Sequence, residues 1–191
     1  QRAKIPNIVV SNGGQMVAQL EKIGVPHFKL PVHSKNPLTI WLNAYRLAKI
    51  AKENKVGLMH VRSRAPAWSV KVASEKTGIP YISTYHGMYG LQPKLKKIYN
   101  RVMLRGKCTI AVSECVKDHL IQNYQYPADK IHVIHRGADL TRFNPEWATH
   151  EKALEFAKKY QIPLDKPIIT LVGRLSKMKG QLLLLQALSK M

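Results

Sequence analysis

Short apolar runs rich in valine and isoleucine alternate along this chain with segments of helical period, and that alternation constrains the fold more than any other property. Residues 5–10, 27–30, 57–61, 80–84, 108–112, 130–134 and 167–172 read as strands; 14–23, 37–54, 65–77, 93–105, 113–123 and 149–160 read as helices. Apolar strands this short are buried on both faces, and helical crossovers between them impose parallel pairing. The fold class is therefore α/β, with a parallel, doubly wound, Rossmann-like sheet. Local punctuation agrees: Asn36 precedes Pro37 at one helix start, Ser113 stands where it caps another, and Gly24, Gly78 and Gly106 follow helix ends. At 191 residues and 45% apolar content the chain buries one full core and part of a second. Glycine, aspartate, asparagine and proline cluster over 136–145 and set a boundary that leaves domains 1–143 and 144–191. The second domain begins as another Rossmann-like unit. Opening on Gln1 and stopping inside an apolar helical pattern at Met191, the sequence reads as a fragment.

Open α/β sheets gather ligands at the carboxyl ends of their strands, and each such end carries polar residues. Ser11-Asn12-Gly13-Gly14 follows the first strand, either as a plain tight turn or as a backbone approach to phosphate. Arg62-Ser63-Arg64 follows the third, with Trp68 on the next helix. Two guanidiniums there suit bidentate recognition of phosphate or carboxylate, and the indole suits a sugar; solvated arginines around a core tryptophan are the alternative. Tyr85-His86-Gly87-Met88-Tyr89-Gly90 follows the fourth, offering a neutral imidazole to sugar hydroxyls beside glycines that admit close backbone approach. The strand-like 166–172 runs into Gly173-Arg174-Leu175-Ser176-Lys177-Met178-Lys179-Gly180 and then the helix-like QLLLLQAL. Free N–H groups at a helix start, ringed by cations, form a seat for a diphosphate; an ordinary turn with solvated lysines is the alternative.

The chain carries 31 lysines and arginines against 11 acids, a net +20, with 23 bases and 7 acids lying before Asn144. Such a balance implies an anionic partner: nucleic acid, a membrane surface or a phosphorylated substrate. Residues 91–107 hold six bases and no acid. At helical spacing Leu91, Leu95, Ile98 and Val102 form one stripe, and Lys94, Lys97, Arg101 and Arg105 its neighbour. The result is either a cationic amphipathic helix that lies on anionic headgroups or a core-facing helix with a solvated basic face. A nucleic-acid-binding protein is the rival from another class, although no RNP-like, OB-like or helix-turn-helix pattern accompanies the charge. Cys108 and Cys115 have no metal-spaced partner and read as core filler in a reducing cytosol. No run of about 18 apolar residues and no leader pattern appears in the sequence.

Three motifs, in order, carry a resemblance. VGRLSKMKGQLLLLQAL resembles the opening of the second domain of family 4 glycosyltransferases, which are retaining, nucleotide-sugar-dependent enzymes of the GT-B fold; 133–143 (VIHRGADLTRF) is similar to their interdomain segment; and 84–87 (TYHG) is similar to the first-domain loop whose histidine faces the donor sugar. The resemblance implies that Arg174 and Lys179, beside Gly173, hold the donor diphosphate and that His86 is the catalytic-site residue contacting the donor sugar. Arg62, Arg64 and Gly87 are then acceptor-side candidates, and Lys94, Lys97, Arg101 and Arg105 membrane-surface candidates. It also implies transfer with retention and without a metal, in keeping with the lack of a D-x-D motif, and no cofactor beyond the nucleotide sugar as co-substrate. The expected partners are that donor, a saccharide or lipid-linked acceptor from envelope or lipopolysaccharide synthesis, and an anionic membrane. The expected location is cytoplasmic, peripheral on the inner face of the membrane. The family's first strand with its glycine loop would precede Gln1 and its paired glutamates would follow Met191, so the fragment itself is expected to be inactive. A non-catalytic membrane-surface scaffold remains a further alternative.

Overall fold

The computed structural model describes residues 5–141 and 143–190 and divides into two compact units, Gln1–Gly137 and Ala138–Met191. In the first unit the order is β1 (Val9–Ser11), α1 (Val17–Lys22), β2 (His27–Lys29), α2 (Pro37–Glu53), β3 (Met59–Val61), α3 (Arg64–Thr77), β4 (Tyr81–Tyr85), α4 (Lys94–Asn100), β5 (Thr109–Ala111), α5 (Glu114–Tyr124) and β6 (Ile131–Val133). All observed pairings are parallel. β1 pairs with β2, while β3, β4, β5 and β6 form a four-stranded sheet in that order.

The anticipated sheet is thus present in two pieces. Between them runs a groove of ≈ 580 Å³. Residues 7–11 and 58–63 line it consecutively, with Leu47 and Val70 from α2 and α3 among its other walls. Successive side chains of a strand point to opposite faces, so a wall made of every residue in turn is a strand edge, not a sheet face.

Local chemistry explains the helix limits. Asn36 accepts hydrogen bonds from the Leu38 and Thr39 N–H groups, and Pro37 sits at the first helical position where its missing N–H costs nothing. Ser113 caps α5 through the Val116 N–H. Gly78 closes α3 in the left-handed conformation, φ 73°. At Gly106 the need is space: a Cβ would stand 2.5 Å from the Tyr81 carbonyl oxygen and 3.0 Å from its ring.

Within the core, Ser83 and Thr109 are register partners on β4 and β5, fully buried, with their hydroxyls 3.1 Å apart. Both donate to the Met103 carbonyl, in the 3-10 turn Arg101–Leu104, so neither polar group is orphaned. Asn100 is a second buried hub. Its amide donates to the Gly90 carbonyl (3.2 Å) and to the Tyr124 hydroxyl (3.1 Å), and its oxygen accepts from Arg64 (3.0 Å).

That hub corrects the amphipathic stripe. The α-helix ends at Asn100 and tightens into the 3-10 turn, and what faces inward is Asn100, Val102 and Met103. Leu95 and Ile98, expected on one face with Val102, are instead 75% and 58% exposed. The change of helical pitch rotates the two halves of the segment out of phase. Cys108 is half-buried, as core filler would be, but Cys115 is exposed, because it opens α5 on the outer side.

In the second unit α6 (His150–Lys159) is capped by Thr149 and α7 (Gln181–Leu188) follows Gly180. The strand expected at 167–172 does not form: these residues have no strand assignment, and Val172 is 91% exposed. A parallel strand is stabilised by neighbours on its edges, and among the described residues this unit holds no strand to pair with it.

Candidate functional site

Three strand ends of the first unit converge. β3 delivers Arg62, β4 delivers His86, and the chain leaving β6 delivers Arg136. The Arg62 Nε–H donates to His86 Nε2 at 3.4 Å. Arg136 Nη2 lies 3.2 Å from His86 Nδ1 and donates to the His86 carbonyl oxygen at 3.1 Å. Just beneath, His60 Nε2 is 2.7 Å from the Thr84 hydroxyl. Parallel pairing, Met59 to Tyr81 and Thr109 to Ile131, brings these ends to the same side of the sheet.

The electrostatics favour neutral imidazoles. Partial burial holds His86 below its ordinary value, and the charges of Arg62, Arg136 and His60 push the same way. His60 is lowered likewise, first by partial burial and then by Arg62. The ion pairs Lys49–Glu53, Lys71–Glu75 and Lys117–Glu114 lie outside this cluster.

Arg64, expected beside Arg62, points elsewhere: it donates to Asn100 and stacks on the Tyr89 ring at 4.2 Å. Trp68 is half-buried against the core, 5.9 Å from Tyr99. Gly87 adjoins His86, and a Cβ there would meet nothing within 4 Å. Residues 11–14 form a turn in which the Ser11 hydroxyl accepts from the Gly13 N–H and contacts His27. Of the basic segment, Lys94, Arg101 and Arg105 are exposed, while Lys97 leans toward the Tyr124 ring at 5.8 Å. Arg136 and His60 were missed in the sequence. Arg136 lies inside the segment read as a boundary and His60 inside a strand, so the strand-end rule reached neither.

In the second unit the Lys179 side chain lies 3.5 Å from where a Cβ on Gly173 would stand, and the Gln181 amide donates to the Arg174 carbonyl at 2.9 Å. These contacts fold 173–181 into a compact loop before α7. Gly180, φ 72°, opens that helix with no side-chain cap, leaving its first N–H groups free of side-chain acceptors.

A parallel α/β unit with its polar residues at the strand ends is the architecture of GT-B glycosyltransferases, and solved structures of that class share it. A glycosyltransferase from Rickettsia africae superposes with a TM-score of 0.80 at 43% identity, covering 96% of this chain and 48% of that one. HepE of Anabaena, solved with UDP-glucose, has the same fold at 18% identity and a TM-score of 0.72, over 95% of this chain and 49% of its own. The family profile for Glycosyltransferase Family 4 matches residues 1–142, and the chain belongs to that family. Curated relatives include Spore coat protein SA of Bacillus subtilis, 26% identical over 72% of this chain and 37% of that protein. Another is D-inositol 3-phosphate glycosyltransferase of Corynebacterium kroppenstedtii, 30% identical over 52% and 22% respectively. The chain spans about half the length of these solved structures and less of these curated relatives. Among the described residues no helix is long and apolar enough to cross a membrane.

Proposed function

We propose that this chain is the acceptor-binding side, with the beginning of the donor-binding side, of an enzyme that transfers a sugar from a nucleotide-sugar donor. The carrying observation is the 173–181 loop, in which Lys179 folds over Gly173 ahead of a helix start without a side-chain cap. Arg174 and Lys179 neutralise the diphosphate as the anomeric C–O bond breaks. Fixed cations and helix N–H groups act more strongly on that growing charge than on the ground state, so they lower the barrier without needing a divalent ion. HepE, solved with UDP-glucose, supports a nucleotide sugar as the donor class.

His86 faces the donor sugar as a neutral imidazole, able to exchange hydrogen bonds with hydroxyls; its lowered proton affinity supports that role. Arg62 and the open space at Gly87 serve the acceptor, while Arg64 supports the loop from behind. Retention of configuration is part of the proposal, on the ground of the family resemblance alone. A saccharide or lipid-linked acceptor of the cell envelope suits the basic surface, and the exposed Leu95, Ile98 and Lys94 of α4, with exposed Arg101 and Arg105 further along the segment, serve contact with the anionic inner face of the cytoplasmic membrane. The test is a nucleotide-sugar screen with lipid-extract acceptors, using a polypeptide of the relatives' full length that carries this sequence. Turnover lost in Arg174→Ala and in Lys179→Ala supports the donor assignment, and undiminished turnover in either removes it.

A further inference from the structure

We infer that the outward face of α2 is a docking surface for an anionic lipid bilayer. The inference shares its lipid class with the proposed function but places the contact on a different helix from the 94–105 segment. A helix that packs one side on a core is ordinarily polar on the other. On α2 the inner side is Asn43, Ala44, Leu47 and Ala51, all buried. Leu38, Trp41, Leu42 and Tyr45, spaced at i, i+3, i+4 and i+7, lie opposite and are 65%, 50%, 41% and 42% exposed. The Trp41 and Tyr45 rings meet edge-on with centroids 4.4 Å apart, so the aromatic pair stands as one unit on the surface. Along the same face, the last two turns carry Arg46, Lys49, Lys52 and Glu53, all exposed. The helix thus turns an apolar, aromatic first half and a basic second half to the outside.

The other side of the helix is already committed. Leu47, Ile50 and Ala51 line the groove between the two sheet pieces, so whatever fills that groove meets the inner side and leaves the outward one uncovered. Charge selects among occupants of the outward face. Lys76 of α3 sits over the Tyr45 ring at 4.0 Å, Lys35 and Lys55 flank the ends of α2, and Glu53 is engaged with Lys49 at 3.8 Å. A second copy would bring a like cluster onto this one, on a chain of net +20, and is opposed by repulsion. An anionic bilayer answers both halves. The leucines and the aromatic pair enter the headgroup boundary, where tryptophan and tyrosine bury an apolar body and keep a polar tip wet, while the bases meet lipid phosphates. α3 lies between this helix and α4: the Ser69 hydroxyl donates to the Ile40 carbonyl at 3.0 Å, and Trp68 is 5.9 Å from Tyr99. Both lipid contacts therefore belong to one helical layer.

The experiment mixes a polypeptide of the relatives' full length that carries this sequence with vesicles of phosphatidylcholine, alone or with an equal share of phosphatidylglycerol. Subtracting the emission of Trp41→Phe from that of the unaltered polypeptide isolates Trp41, and the change keeps an aromatic ring at an exposed position. The expected result is a blue shift of Trp41 and its quenching by bromine-labelled lipid in the anionic vesicles. Vesicle affinity should fall at least about tenfold in Leu38→Ser with Leu42→Ser, and likewise in Arg46→Glu with Lys52→Glu. A Trp41 that neither shifts nor is quenched, an equal response to neutral vesicles, or undiminished affinity in either pair of substitutions overturns the inference. So does a shift produced by polyglutamate and not by vesicles, which assigns the face to an acidic protein. Self-association abolished by the two serine substitutions overturns it as well, in favour of a second copy. If a variant misfolds, lipid quenching of Trp41 still decides. Vesicle binding that is lost in Lys94→Glu with Arg101→Glu while Trp41 stays silent leaves the proposed 94–105 contact standing and removes this one. No turnover is read, so the outcome is independent of the donor-diphosphate assignment.

Discussion

Replacing Asn100 by leucine removes a buried hub while keeping its branched shape, and the cost can be worked bond by bond. The Gly90 carbonyl belongs to an exposed residue and regains water, so its loss is small. The Tyr124 hydroxyl belongs to a residue only 5% exposed and loses its donor, at about 1–3 kcal/mol. Arg64 loses a charge-assisted bond worth about 1.5–3 kcal/mol, tempered by its partial exposure. Added apolar burial by leucine returns about 1–2 kcal/mol. The net expectation is destabilisation by about 1–4 kcal/mol, a large part of the roughly 5–15 kcal/mol available to a domain. Urea unfolding followed by far-UV circular dichroism measures it, with Tyr124→Phe and the double variant completing a cycle. The double variant should fall short of the sum of the singles. A loss below about 1 kcal/mol for Asn100→Leu, or strict additivity, refutes the hub.

Further expectations follow from single contacts. Gly106→Ala drives a Cβ into the buried Tyr81 carbonyl and ring and should cost at least about 1–3 kcal/mol, seen as a lower urea midpoint; an unchanged midpoint contradicts the close packing. His60, His86 and His119 all have lowered proton affinity in the folded state, so their contribution is complete above the ordinary histidine value and is lost as pH falls through the folded values. Stability should therefore decline between about pH 7 and pH 5, and a flat profile from thermal melts argues against it. Charge reversal of Lys94 and Arg101 should weaken binding to vesicles of anionic lipid by about 1 kcal/mol or more per residue; equal binding to neutral vesicles denies the membrane contact. Extending the amino end by an apolar, β-branched segment of about five residues should fill the edge-lined groove and raise the urea midpoint, whereas no gain excludes a strand there.

Local signals carried most of the first unit. Asn36, Ser113 and Gly78 act where the chain suggested, because caps and turns depend on a few neighbouring residues. The failures are non-local. Residues 167–172 have the composition of a strand but, among the described residues of their unit, no strand to pair with, and the stripe of Leu95, Ile98 and Val102 was broken by a pitch change that no periodicity count detects. The site shows the same division. His86 was a candidate through the resemblance of its loop and Arg62 through its strand end, but their contact with each other and with Arg136, 50 residues on from His86, depends on the sheet register. Arg64 looked equivalent to Arg62 in sequence and differs only because Asn100 and Tyr89 claim it.

The central claim is that two side chains near the end of this sequence neutralise a departing nucleoside diphosphate without a metal ion. Initial rates of nucleotide-sugar turnover, measured in a polypeptide of the relatives' full length with and without a chelator, test it most directly alongside Arg174→Ala and Lys179→Ala. The account predicts a rate unaffected by the chelator and reduced at least about a hundredfold by either substitution. A rate abolished by the chelator, or preserved in either variant, contradicts it.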